Sequence, residues 1–353
     1  MPIDRWSLYR RMVRSRLFEE AVTSLWNEGS IPGEMHCGTG EEGVVAGVVD
    51  HLRSGDAMAL DHRGTPPLLM RGVDPVALLR ELLGKPDGLC RGMGGHMHLF
   101  APDLLAASSG IVGASGPAAV GFALAGTRLR PGSVAVAFFG EGAMNQGMLL
   151  ESLNLAAAWG LPCVFVCKDD GWAITTRSER VTGGGLTARA EAFGLRAATV
   201  DGWNVEQVWE AAGEAVARAR DGGGPSFLHA RCLHIEGHFL GDPLLRIVRR
   251  PVAELAEISG PLMRSMGRRA GGGLGGRVRG LGAVLGTVVA QFRKQIGDAH
   301  DPLAVTRRGL RAGEGGTAEA DASLEQIEED VVAEIEEILR TALGGEPATE
   351  EAP

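Results

Sequence analysis

The sequence predicts an α/β fold, a mostly parallel sheet with helices on both faces. Three observations predict it. Up to about Pro243 the chain alternates short apolar runs with glycine-rich turns and helical patterns. Its best-defined unit, residues 134–172, reads strand–helix–strand at the length a parallel crossover requires. The chain has 353 residues, 44% of them hydrophobic, enough for one large α/β domain plus an extension.

Residues 5–28 read as a helix, with Leu8, Met12, Leu17 and Val22 among its apolar positions. In the central unit, 134–139 is an unbroken apolar run, as a parallel strand buried on both faces should be. Gly140-Glu141-Gly142 ends it, and Asn145 to Trp159 has helical spacing with Leu149, Leu153, Ala156 and Ala157 on one face. Residues 162–167 form a second apolar strand, closed by Lys168-Asp169-Asp170-Gly171. The first 245 residues are thus one α/β domain. Residues 246–300 read as a basic insertion rich in Gly and Met: Arg246 to Lys294 carries ten Arg or Lys against two Glu, a local charge of +8 in a chain of −9. Two readings stay open for it: a mobile basic flap over the mouth of the site that engages an acidic partner, or a solvated insertion with no role. Residues 301–343 form a helical extension. Its last part, Ser323 to Leu343, is amphipathic through Leu324, Ile327, Val331, Ile335, Ile338 and Leu339, and Ser323 with Gln326 fits a capping box. The acidic tail, 344–353, reads as disordered.

The net charge gives no general reason to expect a nucleic-acid partner. The N-terminus has no apolar signal core, and the apolar stretch 281–290 is too short to span a bilayer, so a cytoplasmic protein without membrane contact is expected. Five cysteines without a CxxC pair suit reduced thiols, with Cys163 and Cys167 packed in one buried strand.

Ligands of such a sheet bind outside the carboxyl ends of its strands. A right-handed crossover brings Glu141 and Asp170, each just past a predicted strand, to the same edge. Two oxygen ligands there suit Mg²⁺ or Ca²⁺ if a diphosphate completes the shell. Gly140 and Gly142 let the backbone approach phosphates, and the helix from near Asn145 offers free N–H groups. Spacing alone favours the plainer reading, in which Glu141 is a helix N-terminal carboxylate and Asp169-Asp170 a polar turn. A nucleotide loop is disfavoured, because Gly140 to Asn145 does not complete GxGxxG.

The run Gly140-Glu141-Gly142, Asn145-Gln146-Gly147, Glu151, Asn154 to Ala157, Trp159, Leu161-Pro162 and Lys168 to Trp172 resembles the cofactor motif of thiamine-diphosphate-dependent dehydrogenase E1 alpha subunits. Further blocks agree in order: Gly33 to His36 with Gly40-Glu41-Glu42, Gly72 to Pro75, Gly94-Gly95 with Met97 to Phe100, Gly110 to Gly113, Val200 to Gly202, Gly223 to Pro225 and Gly237 to Pro243. His62-Arg63-Gly64 and Gly237-His238-Phe239 look more like the acetoin than the pyruvate type.

The resemblance implies a thiamine-diphosphate-binding fold in which Gly110 and Val112 frame the pyrimidine. It implies that Glu141, Asp170 and the Trp172 carbonyl bind Mg²⁺ or Ca²⁺, and that the backbone at Gly140, Gly142 and Ala143 meets the diphosphate. Arg63 and His238 would sit over the phosphates and the reacting carbon, with His62 beside them as a further catalytic residue. It implies cleavage of a C–C bond next to the carbonyl of acetoin or a 2-oxo acid, a beta subunit in an α2β2 assembly, and a lipoyl-bearing acyltransferase as acceptor. Glu141 and Asp170 stand where the family usually has Asp and Asn. Two such carboxylates repel by about 4 kcal/mol at roughly 4 Å and an effective dielectric near 20, which Lys168 is expected to offset in part. Thr65-Pro66-Pro67 replaces a His-Gly-His run by a stiff loop. These departures support an alternative: a catalytically impaired homologue acting as a structural or regulatory subunit. His96 and His98 have a spacing that could put two ligands on one strand face, but no third is in view, so no separate metal site is expected there. The resemblance makes His98 an active-site or interface residue, and His36 and His234 read as packed or surface histidines.

Overall fold

The computed structural model describes residues 2–241, 298–313 and 318–344. The basic 246–294 stretch and the 344–353 tail expected from the sequence lie, apart from Gly344, outside the described residues, as do Asp242 and Pro243. In chain order the helices are α1 (Arg5–Asn27), α2 (Glu42–Val49), α3 (Thr65–Arg71), α4 (Pro75–Leu82), α5 (Ser115–Leu129), α6 (Gly147–Ala158), α7 (Leu186–Ala192), α8 (Val205–Arg220), α9 (Pro302–Gly313) and α10 (Ala318–Leu343). The strands are β1 (Ala57–Leu60), β2 (Phe100–Ala101), β3 (Ala106–Ser108), β4 (Ala135–Gly140), β5 (Cys163–Asp169), β6 (Trp172–Ala173), β7 (Thr176–Arg177), β8 (Arg196–Asp201) and β9 (Ser226–Arg231).

Seven strands form one sheet in the order β2-β3-β1-β4-β5-β9-β8, parallel except at β2. Successive side chains of β4 feed opposite faces. Val136 and Phe138 join Met58, Val164 and Leu228 beneath α1, α2 and α8, whereas Ala135, Ala137 and Phe139 join Cys163, Phe165 and Phe227 beneath α5 and α6. The expected α/β fold, helices on both faces of a mostly parallel sheet, is therefore present. Cys163 and Cys167 are buried in β5, and the five cysteines are unpaired. No helix among the described residues is long and apolar enough to cross a membrane.

Four local expectations need correction. β5 extends through Lys168 and Asp169, because β9 supplies ladder partners as far as Arg231. Glu141–Asn145 is a 3₁₀ turn, and α6 begins only at Gly147, since Gln146 takes an extended conformation that interrupts the helix. Thr65-Pro66-Pro67 is no loop but the first turn of α3, where proline's fixed φ and missing N–H cost nothing. Helix α10 starts at Ala318, so Ser323 lies inside it and caps nothing; Glu319 and Asp321 provide the acidic first turn instead. Its apolar stripe packs as expected: Leu324, Val331, Ile335 and Ile338 are buried in the same cluster as α1 and α4. Tyr9 and Arg14 of α1 bond Glu328 and Glu334 of α10, each at 2.6 Å.

Candidate active site

The chain reverses its direction of travel across the sheet between β1 and β4. β3 lies on one side of β1, and β4, next in the parallel series, lies on the other. Strand ends at such a switch point diverge and leave a crevice. A cleft of about 440 Å³ occupies it, and all eleven site residues expected from the sequence line it: His62, Arg63, Gly110, Val112, Gly140, Glu141, Gly142, Ala143, Asp170, Trp172 and His238. His36, Glu41, Asp61 and His234 line it as well.

The floor is a chain of ion pairs. Lys168, only 1% exposed, places Nζ 2.7 Å from Glu41 and 3.1 Å from Asp61. It therefore offsets those carboxylates, not Asp170 as expected: Asp170 lies just past the end of β5 and pairs with His234 instead. Glu41 Oε1 lies 2.7 Å from His234 Nε2, and His234 Nδ1 lies 2.8 Å from Asp170. Burial alone would raise the Glu41 carboxyl, but Lys168 and His234 hold it at about 2. Burial and Arg63 oppose a charge on His234, yet Asp170 and Glu41 lift it to about 9. Asp170 is held below its usual range, chiefly by His234 against the cost of burial. Glu141 goes the other way. Burial and then the charge of Asp170 push it up to about 8, while Ser178 Oγ donates a hydrogen bond to it.

Arg63 links floor and rim. Its guanidinium donates to the His238 carbonyl at 2.7 Å and to the Cys37 carbonyl, and its Nε lies 3.8 Å from Glu41. The fork expected to grip phosphate is thus turned largely onto protein acceptors, making Arg63 a positioning residue for both loops. Around it stand four imidazoles. His36 Nδ1 is 2.9 Å from His96 Nε2, and His36 also meets His62 and His238 edge to face. Burial first, then Arg63, lowers His36 to about 3 and His96 to about 4; the same two causes lower His238 to about 4 and take His62 well down. These four rings are neutral near pH 7. His96 and His98 do not share a strand face: 94–98 is a turn, closed by His98 N–H to the Gly94 carbonyl, that buries His96 and exposes His98.

The dehydrogenase E1 component family matches residues 10–259. The chain belongs to this family. It is 43% identical over 249 residues to the acetoin:2,6-dichlorophenolindophenol oxidoreductase alpha subunit of Cupriavidus necator, covering 69% of this chain and 74% of that protein. It is 40% identical over 237 residues to the Bacillus subtilis protein of the same name, covering 67% and 71%. It is 36% identical over 257 residues to the pyruvate dehydrogenase E1 alpha subunit of Zymomonas mobilis, covering 72% and 73%.

In this E1 chain four residues that build the cleft carried no role in the sequence reading: His36, Glu41, Asp61 and His234. Each lies in or beside a block that carries the resemblance, and His234 comes three residues after β9 ends, the position type that marked Glu141 and Asp170. Two supports beneath the cleft were also missed. The buried Glu81 carboxylate accepts N–H bonds from Cys90 and Gly92 on one oxygen, at 2.6 and 2.8 Å, and from Gly94 and Gly95 on the other, at 2.7 and 3.3 Å. It thereby shapes the loop that delivers His96. Glu19, fully buried, accepts the Gly38 N–H at 3.0 Å below the His36–Glu41 segment. Gly40 is required where that segment crosses the β9 exit: at φ 102 a side chain there would overlap the Leu233 carbonyl.

Proposed function

We propose that this chain is the alpha subunit of a thiamine-diphosphate-dependent E1 component that cleaves the C–C bond beside the carbonyl of acetoin or a 2-oxo acid. The observation that carries the reading is the convergence in one switch-point cleft of glycine backbone, hard oxygen donors and neutral imidazoles.

Glu141, Asp170 and the Trp172 carbonyl would hold Mg²⁺ or Ca²⁺, whose preferred donors are oxygens. The residues fit a cation: burial and then the charge of Asp170 push Glu141 up to about 8, the mark of two carboxyls converging without a positive charge between them. A divalent ion held by the two carboxylates would supply the positive charge that offsets their repulsion. Gly140, Gly142 and Ala143 would present backbone to the diphosphate, and Gly110 and Val112 would frame the pyrimidine. When bound, thiamine diphosphate supplies the nucleophilic carbon and the electron sink for the cleavage. His62 and His238, being neutral, can hold a substrate carbonyl oxygen through N–H or accept a proton from its hydroxyl. Arg63 fixes the His238 backbone for that task.

A beta subunit would complete the site in an α2β2 assembly, and the acyl unit would pass to the lipoyl group of an acyltransferase in the cytoplasm. Ile111 at 62% and Val112 at 55% exposure line the cleft mouth with open apolar surface, which supports a covering partner. A second reading, a homologue serving as a structural or regulatory subunit, is favoured by one observation: both Asp170 oxygens already have partners, His234 and the Trp172 N–H at 3.1 Å. Coexpression with the beta subunit and assay with an artificial electron acceptor separates the two. We expect turnover of acetoin or a 2-oxo acid that depends on thiamine diphosphate and Mg²⁺. A stable complex with neither cofactor uptake nor turnover would favour the second reading.

A further inference from the structure

Three histidines reach the rim of the cleft from separate segments: His36 ahead of α2, His62 just after β1 and His238 after β9. One ring nitrogen from each lies within 4.8 Å of the other two. We propose that His36, His62 and His238 form a binding site for a transition-metal cation of the Zn²⁺ class, distinct from the oxygen donors Glu141 and Asp170.

The donor chemistry separates the two places. Imidazole nitrogen suits Zn²⁺ and its neighbours in the transition series, whereas carboxylate and carbonyl oxygens suit Mg²⁺. The ring centroids of His62 and His238 stand 4.6 and 5.2 Å from that of His36, and 5.6 Å from each other. Tetrahedral Zn–N bonds of about 2.0–2.1 Å bring ligand nitrogens to roughly 3.4 Å apart. The rings must therefore close by roughly 1.4 Å, a side-chain rotation rather than a backbone rearrangement. His36 is already oriented for this: its Nδ1 is engaged by His96, which leaves Nε2 as the nitrogen it offers. A metal-bound histidine whose other nitrogen bonds a second residue is the usual arrangement, because that bond fixes tautomer and direction. His62 Nε2 is buried and has no hydrogen-bond partner among the described residues. A cation would supply one.

The positive charge of Arg63 opposes a second cation. It is countered by Glu41 at 3.8 Å, and the guanidinium donates to the Cys37 and His238 carbonyls. The neighbouring grouping Glu41, Cys232 and His234 is closed to a metal by contrast, since both His234 nitrogens hold carboxylates and Glu41 also holds Lys168. With three protein ligands the rim site keeps one position open for water or a small anion. Its occupation would withdraw His62 and His238 from a substrate, so Zn²⁺ would inhibit the reaction proposed above; the binding itself does not depend on that reaction.

The test uses the full-length, metal-free chain without thiamine diphosphate, titrated with Co²⁺ and Zn²⁺ in excess Mg²⁺. One Co²⁺ should bind with the intense visible absorption of a tetrahedral nitrogen site and be displaced by Zn²⁺. His36→Ala and His62→Ala should each weaken Zn²⁺ binding by at least about tenfold, and His96→Ala by about tenfold through loss of the orienting bond. His98→Ala, on the exposed turn, should change nothing. Circular dichroism and melting check that the variants fold; if one does not, the wild-type Co²⁺ spectrum decides alone. A weak octahedral spectrum overturns the proposal. So does Zn²⁺ affinity that survives in folded His36→Ala and His62→Ala but falls in Glu141→Gln.

Discussion

The floor and the rim of the cleft are built from the same residue types and take opposite charge states. His234 in the floor is lifted to about 9, while His36 and His238 in the rim are lowered to about 3 and 4. Burial pushes all three down. The difference lies in the partners: His234 has a carboxylate on each nitrogen, which outweighs the nearby Arg63 guanidinium, whereas the rim rings meet one another and feel the Arg63 charge. Carboxylates obey the same rule. Glu41 touches Lys168 and stays ionised, and Glu141, facing Asp170, keeps its proton. Direct contact with an opposite charge, more than depth, decides protonation in this cleft.

The comparison breaks most severely at Lys168. Lys168→Met removes the cation that Glu41 and Asp61 share in the floor, leaving Glu41 only His234 and Arg63, and removal of one member of a buried ion pair costs about 3–5 kcal/mol. Chemical denaturation should show that loss, and adding Glu41→Gln should recover part of it. The next effect is at Glu81, beneath the rim. In Glu81→Gln the side-chain NH₂ must face a pair of backbone N–H donors, because each carboxylate oxygen accepts two. A loss of about 1.5–3 kcal/mol is expected, with faster hydrogen exchange at Cys90 to Gly95.

Glu19 sharpens the rule through pH. Burial first, then the charges of Glu42 and Glu41, raise it from 4.5 to about 8, while the Gly38 N–H opposes the rise. A raised carboxyl stabilises the fold fully below its unfolded pKa, and that contribution is lost as pH climbs through the folded value. Stability should therefore fall between about pH 4.5 and 8, and Glu19→Gln should flatten that slope in melting curves. The smallest effect on stability is expected at His238, whose backbone carbonyl, not its ring, anchors Arg63. His238→Ala should melt within a few degrees of wild type while turnover with the beta subunit falls strongly. A large stability loss with normal turnover would make the ring structural.

Much of this was legible in the sequence for a physical reason. β4 and β5 are buried on both faces, so each is an unbroken apolar run, and the residues just past their ends fall at the switch point by topology alone. Topology thus placed Glu141, Gly142 and Asp170 at one edge, and the family resemblance added Arg63 and His238 to them. The floor was illegible because its bonds are long-range. Glu41 meets Lys168 across 127 residues and His234 across 193, and no spacing rule reads such a contact. The same limit sent Lys168 to the wrong carboxylate. At Ser323 the error was local, since a Ser–Gln pair at capping spacing also occurs inside a helix that starts five residues earlier.

The claim at the centre of this account is that the floor holds a divalent metal and, through it, a diphosphate. Calorimetry of thiamine diphosphate with the chain and its beta subunit, with and without Mg²⁺, measures it directly. Wild type should bind in a Mg²⁺-dependent manner, and Glu141→Ala and Asp170→Ala should each weaken that binding by at least about tenfold, as loss of a metal ligand requires. Metal-dependent affinity unchanged in both variants would contradict the account.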